Sequence, residues 1–337
     1  MVVWKFRTVS CEIIFHIVLT MLFCLRYHKC KRKQQKFYFI GGLTTMLLNM
    51  TDLLKVANEH SFAVPAFNIG TGMILNGVIE TCEKLKAPVI LAIHPWELEF
   101  NGDAFLQMVL ERAHRTKLPV CIHLDHSEWE PITRAIRAGF TSVMIDASSK
   151  PFEENIEITR KVVELAHPLG VSVEGELGSI GTTDGENVTA ESDILYTKPE
   201  DAARFVKETG VDCLAIAIGT SHGIYPKGLQ PKLKQDLLSE IKKAIPNTPL
   251  VLHGGSGNKD EEIAEAVRRG VNKINISSDI KDAFYQRLRV TLEDKKIREP
   301  FELYPDSIKA MNKVVEEKVR LFNDDDKLKY YVLDEMI

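Results

Sequence analysis

The chain has 337 residues, 45% of them apolar and 27% charged, with a formal net charge of −4. That balance belongs to a folded globular protein, not a disordered or fibrous one, and offers no overall electrostatic footprint for nucleic acid. The charge is uneven: residues 1–45 hold eight Lys/Arg against the single acid Glu12, a net of +7, which leaves −11 for the rest.

This N-terminal stretch therefore reads as a different kind of sequence from the body. Residues 13–25 are almost wholly apolar, with Lys5 and Arg7 before them and a basic run after them. The run is shorter than the roughly 20 residues of a membrane helix. It also lacks the small-residue cleavage site of a signal peptide. Residues 1–45 are set apart as an extension outside the fold: disordered, a signal anchor, or the product of a start assigned upstream of Met46 or Met50. In the body, Cys82, Cys121 and Cys213 lie in apolar contexts, and no Cys-x-x-Cys pair exists among the six cysteines. Buried free thiols in a reducing, cytoplasmic compartment are expected. There, the glycosylation-like Asn49-Met-Thr51 and Asn187-Val-Thr189 carry no meaning.

From Thr51, where a first helix opens, short apolar runs alternate with amphipathic stretches. Strands are predicted at 63–69, 88–93, 120–124, 142–145, 171–175, 213–218, 250–252 and 273–276. Helices are predicted near 72–86, 103–116, 129–138, 152–167, 199–209, 232–244, 259–269 and 279–294, with another over 306–322. In the helix near 152, Phe152, Ile156, Ile158, Val162, Val163 and Ala166 recur on one side. Gly139, Gly170, Gly210 and Gly270 follow helices and precede strands. The strands are continuous Val/Ile/Leu runs, as expected when both faces are buried. Eight β–α repeats predict a (β/α)8 TIM barrel over residues 46–325, with a doubly wound open sheet as the alternative. Residues 178–198 lack apolar period and read as a long functional loop. Asp324, Asp325 and Asp326 read as solvated, and 326–337 as a tail.

Polar residues gather at the C-terminal ends of these strands: Asn68, Asp125, His126, Asp146, Glu176, His222, His253 and Asn275. A barrel places its active site there. A lone histidine after a strand is usually structural. Three of them, His126, His222 and His253, on the third, sixth and seventh strands, can instead converge into an open metal site with room for substrate. Asp125 beside them supplies an acid/base. His123 reads as a buried structural residue, and His60, His114 and His167 as surface residues. His94, ending the second strand, is placed at the pocket.

Several motifs occur together. His123-Leu-Asp-His126 resembles the first signature of the class II, zinc-dependent fructose-bisphosphate and tagatose-bisphosphate aldolases. Val173-Glu-Gly-Glu-Leu-Gly178, leading on to Asp184, resembles the second. Gly-Thr-Ser-His222-Gly223, His253-Gly-Gly-Ser-Gly257 and Asn275-Ile-Ser-Ser278 continue the match in order, from about Thr51 to Phe322. The resemblance implies a catalytic Zn²⁺ on His126, His222 and His253, with Asp146 and Glu176 steering it or holding a second divalent or monovalent cation. It implies that Asp125 exchanges a proton with the C4 oxygen. It also implies that Gly223, Gly254, Gly255, Ser256, Asn275, Ile276, Ser277 and Ser278, with Asn68, hold the dihydroxyacetone phosphate half. The expected reaction is reversible cleavage of a fructose- or tagatose-1,6-bisphosphate class ketose. A homo-oligomer, dimer or tetramer, is implied. No nucleic acid partner is expected, and no membrane partner unless residues 1–45 are an anchor.

Elementary chemistry agrees with these roles. Breaking a carbon–carbon bond beside a carbonyl leaves an enediolate, whose charge a divalent ion stabilises as a Lewis acid. Backbone amides of residues 254–257, opening a helix near 259, would cradle an anion. Two departures stand out. Asp184 replaces the family's mobile loop glutamate, with Glu186 as an alternative, and His94 replaces a serine or threonine. Two other readings remain at this stage: a Schiff-base aldolase through Lys273, and a sugar-phosphate-binding relative with lost turnover.

Overall fold

The computed structural model describes residues 38–40, 43–179, 181–182, 195–223 and 232–331. The apolar run at 13–25 and Cys11, Cys24 and Cys30 lie outside the described residues, as do Asp184 and Glu186.

In chain order the elements are β1 (Tyr38–Ile40), β2 (Leu43–Thr45), α1 (Met50–His60), β3 (Val64–Asn68), α2 (Gly72–Leu85), β4 (Val89–Ile93), α3 (Pro95–Arg115), β5 (Val120–Ser127), α4 (Trp129–Ala138), β6 (Ser142–Ile145), α5 (Phe152–Ala166), β7 (Ser172–Leu177), β8 (Gly181–Thr182), α6 (Pro199–Thr209), β9 (Cys213–Ile216), β10 (Ser221–His222), α7 (Gln235–Ala244), β11 (Leu250–Leu252), α8 (Asp260–Arg268), β12 (Val271–Ile276), α9 (Ser278–Thr291), α10 (Pro300–Leu303) and α11 (Pro305–Leu321). Eight parallel strands close on themselves in the order β11-β12-β3-β4-β5-β6-β7-β9. The protein is a TIM barrel, and the open-sheet alternative falls because β12 pairs with β3 over Lys273–Ile276 and Val64–Phe67.

Local signals set the elements. Asn49 caps α1 by accepting the Asp52 N–H at 2.9 Å, which gives this asparagine a structural role. Thr71 caps α2 in the same way. Gly139 and Gly210 end α4 and α6 in left-handed backbone. The start of α3 differs from expectation: the helix begins at Pro95, and Gly102 (φ 68°, ψ −175°) kinks it. The expected helix covered only the part beyond that kink. Two further pairings lie outside the barrel, an antiparallel β1–β2 hairpin and a two-residue parallel ladder of β8 with β10. The ladder joins the long loop, through β8, to the segment after β9.

Alternate residues of each barrel strand face inward. Near one end these are apolar: Val64, Ala66, Ile90, Ala92, Cys121, Cys213, Ala215 and Val251, clustered with Leu53, Leu54 and Ala57 of α1. Helix α1 thus forms the floor of the barrel. Two residues further on, the inward positions turn polar and stay buried: Asn68, His123, Asp125, Glu174, Glu176, Lys273 and Asn275. A second apolar layer fills the space between strands and outer helices. Cys82, Cys121 and Cys213 are buried free thiols. Among the described residues, no helix is long and apolar enough to cross a membrane.

The chain end expected to be solvated is partly packed: Asp326 stays exposed, but its neighbours are tied down. Asp324 is fully buried. Asp326 and Leu328 donate their N–H groups to the Leu85 and Lys86 carbonyls at 2.8 and 2.9 Å. Tyr331 joins the floor cluster, and its hydroxyl donates to the Leu53 carbonyl at 2.8 Å. Tyr331→Ala should lower stability in urea unfolding by about 3–5 kcal/mol, the cost of a large apolar cavity. Tyr331→Phe should cost only about 1 kcal/mol, the net worth of one hydrogen bond, because the Leu53 carbonyl keeps its partner within α1. Equal losses would mean the ring does not fill the floor.

Candidate active site

Asp125 and His126 are neighbours on β5, so regular pleating would point them to opposite faces. The β5–β6 register shifts between Leu124 and Ser127, and His126 takes a left-handed backbone (φ 37°). Such a bulge re-aims a side chain. Both residues therefore face one cleft of about 770 Å³ at the C-terminal end of the barrel.

The Asp125 carboxylate is buried and doubly held. It accepts from Asn68 Nδ2 and from Asn275 Nδ2, each at 2.9 Å. Burial would raise its pKa, but the positive charge of His126, then of Lys273, outweighs this and holds it well below the usual range. It stays ionised and acceptor-only.

His126 and His253 stand edge to face with ring centroids 4.4 Å apart. Their inner nitrogens, His126 Nε2 and His253 Nδ1, lie 2.6 Å from each other. Each outer nitrogen meets a carboxylate: His126 Nδ1 at Asp146 (2.9 Å) and His253 Nε2 at Glu174 (2.7 Å). Outer N–H groups donated to carboxylates leave two inner lone pairs facing each other. That contact is repulsive unless a cation, proton or metal, sits there. The carboxylates favour a cation: burial lowers the His126 pKa, yet Asp125 and Asp146 push it up to about 9. Glu176 Oε2 is buried without a hydrogen-bond partner, and burial pushes this carboxyl up to about 8. Among the described residues two metal-competent groups result, Asp125–His126–His253 and His126–Asp146–Glu176. Nitrogen and carboxylate donors of this kind suit a zinc ion. His222 closes β10, and its side chain lies outside the described residues.

Below the site, Lys273 Nζ lies 3.1 and 2.9 Å from the two Glu174 oxygens, and both residues are fully buried. Burial would lower the lysine pKa, but Glu174 raises it. The amine is a structural counter-ion, not a nucleophile, which removes the Schiff-base reading. Its neighbours in sequence gave no hint of this partner across the barrel. His123 is buried on Ser142 Oγ at 2.8 Å, a structural residue as expected. His167 reaches Asp212 at 2.8 Å, and His60 stacks on Tyr330, both away from the cleft.

The residues expected to hold the dihydroxyacetone phosphate half divide into two sets. Asn68, Gly223, Gly254, Ser256, Asn275, Ser277 and Ser278 line the cleft; Gly255 and Ile276 do not. Gly255 packs on Ile274 and the Asn275 carbonyl, and Ile276 turns into the core. Gly254 has φ 62°, and a Cβ there would stand 2.5 Å from the Ser221 carbonyl oxygen, so only glycine fits. The helix end at the cleft is that of α9, at Ser278, and not α8, whose first turn already carries Asp260, Glu261 and Glu262. His94 lines the cleft as expected and caps α3 through its Nδ1. Trp96, Glu97, Ser148, Ser149, Ser179 and Lys281 also line it and were not singled out from the sequence.

A closed barrel whose C-terminal cleft gathers histidine and carboxylate groups able to hold a metal ion has the architecture of a barrel enzyme. Residues 48–327 match the family described as fructose-bisphosphate aldolase class-II, and the chain belongs to that family. It is an aldolase, a carbon–carbon lyase of the aldehyde-lyase type. A fructose-bisphosphate aldolase of Thermus caldophilus is 37% identical over 300 residues, covering 82% of this chain and 98% of that protein. The crystal structure of the YdjI aldolase from Escherichia coli K12 superposes with a TM-score of 0.73 at 32% identity, over 84% of this chain and 99% of that one. The fructose-bisphosphate aldolase of Campylobacter jejuni gives 0.72 at 26% identity, over 84% and 97%. The class II family is in general zinc-dependent.

Lys273→Met should destabilise the protein by about 3–5 kcal/mol, because it strands Glu174 as a buried unpaired charge. Glu174→Gln combined with it should recover much of that loss in urea unfolding. Borohydride added with a ketose phosphate should leave the chain mass unchanged; a reduced adduct on Lys273 would restore the Schiff-base mechanism.

Proposed function

We propose that the protein is a zinc-dependent aldolase that reversibly cleaves a phosphorylated ketose into dihydroxyacetone phosphate and an aldehyde. The class includes the fructose and tagatose 1,6-bisphosphates. The observation that carries the reading is the pair of facing imidazole nitrogens beside an ionised, doubly anchored Asp125. His126 Nε2 and His253 Nδ1, with His222, would hold the zinc ion, and Asp146 and Glu176 would steer it or hold a second cation. When bound, the ion supplies Lewis-acid stabilisation of the negative charge that develops beside the ketose carbonyl.

The remaining steps belong to side chains. Asp125 takes the C4 hydroxyl proton in cleavage and returns it in condensation. Asn68 and Asn275 hold both of its oxygens, so it meets substrate in one orientation. Asp146 and Glu174 fix which nitrogen of His126 and of His253 carries hydrogen. Gly254, Ser256, Ser277, Ser278 and the N-terminal end of α9 receive the phosphate, as helix starts do for anions. Gly223, Gly255 and Ile276 contribute backbone at most. Asp184 exchanges the C3 proton of the dihydroxyacetone half. A cytoplasmic homo-oligomer is the setting proposed.

The test uses purified protein loaded with Zn²⁺, a panel of ketose mono- and bisphosphates, and trapping of the triose phosphate. EDTA should abolish cleavage and Zn²⁺ restore it. Asp125→Asn should lose at least about 10³-fold in kcat while keeping stoichiometric zinc. His253→Ala should lose the zinc itself. Full activity in EDTA with no bound metal would end this reading.

A further inference from the structure

A third imidazole reaches the cleft beside Asp125. Strands β4 and β5 run parallel, Ala92 pairs with His123, and both face inward. Ile93 and Leu124 form the next pair and face outward. The following inward positions are therefore His94 and Asp125, on neighbouring strands about 5 Å apart. His94 is itself extended (φ −75°, ψ 147°), so the alternation carries through to it. Both residues line the same cleft.

Helix α3 fixes the chemistry of this ring. The Trp96 N–H donates to His94 Nδ1 at 3.2 Å, so the ring hydrogen sits on Nε2. The backbone is pinned as well, because the His94 N–H donates to the Glu97 carboxylate at 3.2 Å. Burial lowers the pKa of the ring, and Asp125, the strongest charge acting on it, does not reverse the shift. His94 is then neutral at pH 7, an acceptor at Nδ1 and a donor at Nε2. Among the described residues Nε2 has no hydrogen-bond partner. Asp125 is the complement of this donor: it is ionised, accepts only, and takes the Asn68 and Asn275 amides on its two oxygens. A hydroxyl that donates to Asp125 from the cleft thus lies beside an idle N–H on the next strand.

We propose that His94 is a catalytic residue that donates from Nε2 to the ketose C4 oxygen, the oxygen whose proton Asp125 exchanges. In cleavage the C4 hydroxyl proton passes to Asp125, the O–H electron pair becomes the new carbonyl bond, and the C3–C4 pair passes to the dihydroxyacetone half. His94 keeps its own hydrogen throughout. Its N–H offsets the negative charge that gathers on the C4 oxygen as the proton leaves, and in condensation it polarises the aldehyde. This role rests on the aldolase reading and deepens it.

Two substitutions separate the donor from the helix cap. An asparagine side chain reaches as far as Nδ1 and can still accept the Trp96 N–H, but supplies nothing at Nε2. A glutamine side chain reaches Nε2 and gives up the cap. Each zinc-loaded variant is assayed for cleavage of the ketose phosphate that the wild type turns over fastest. Each is also assayed for deuterium entry at C3 of dihydroxyacetone phosphate in D2O, a step that involves no C4 oxygen. His94→Asn should lose about 10²-fold in kcat for cleavage, the usual loss for one such donor, with bound zinc and C3 exchange retained. His94→Gln should cleave faster than His94→Asn while melting at a lower temperature. Cleavage unchanged in His94→Asn overturns the role, as do cleavage and exchange that fall together. A glutamine variant less active than the asparagine one would trace the effect to the cap and overturns it too. In each of these cases a wild type that exchanges and cleaves leaves the aldolase reading standing. A wild type that does neither removes that reading, and the role of His94 with it.

Discussion

The site depends on one buried carboxylate. Glu174 sits at the centre of the barrel, shared by the Lys273 ammonium and the outer nitrogen of His253. Burial alone would raise its pKa, but Lys273 and the hydrogen bond from His253 hold it well below the ordinary range. An ionised Glu174 accepts from His253 Nε2 and so leaves Nδ1 as a lone pair pointing at His126. Without Lys273 the carboxylate would be an isolated buried charge, which proteins avoid by taking up a proton. A protonated Glu174 would no longer serve as an ionic acceptor, and the imidazole would lose its fixed tautomer. A lysine that never meets substrate thereby sets the donor atom of a histidine that can meet a metal.

Above this layer the geometry rests on a local distortion. Asp125 and His126 must act on the same face, and a regular strand forbids that. The β5 bulge and the left-handed backbone of His126 solve the problem at a cost in strain that is common at functional sites. The bulge is fastened from β6, with Asp146 donating its N–H to the Ser127 carbonyl at 3.0 Å while its side chain accepts from His126. One aspartate therefore holds both the backbone that bends and the ring that the bend presents.

Much of this was legible in the sequence, and the reasons are physical. All eight strands read as continuous apolar runs because parallel strands are buried on both faces. Polar residues at their ends marked the C-terminal face, and Asn68, Asp125, His126, Asp146, Glu176, Ser256, Asn275 and Ser278 do line one cleft. Other features left no sequence signal. The start of α3 was missed because Trp96 and Phe100 are exposed, which spoils the apolar period, and Gly102 interrupts the helix. The Glu174–Lys273 pair spans 99 residues, and no local pattern joins two charges across a barrel. Nothing in His-x-Asp-His announces a bulge, since motif spacing does not encode φ. The chain end read as solvent-exposed from Asp324, Asp325 and Asp326, yet the apolar ring of Tyr331 just beyond them was the better guide.

The tie between Tyr331 and Leu53 joins positions 278 residues apart and completes the underside of the barrel. Contacts of that sequence separation form late, because loop closure must precede them. During synthesis, α1 and the first strands leave the ribosome long before the residues that seal them. Until then the nascent protein carries an open apolar base, the kind of surface that chaperones shield and that aggregation exploits. A chain without Tyr331 would hold every motif of the reaction centre and lack the seal beneath it.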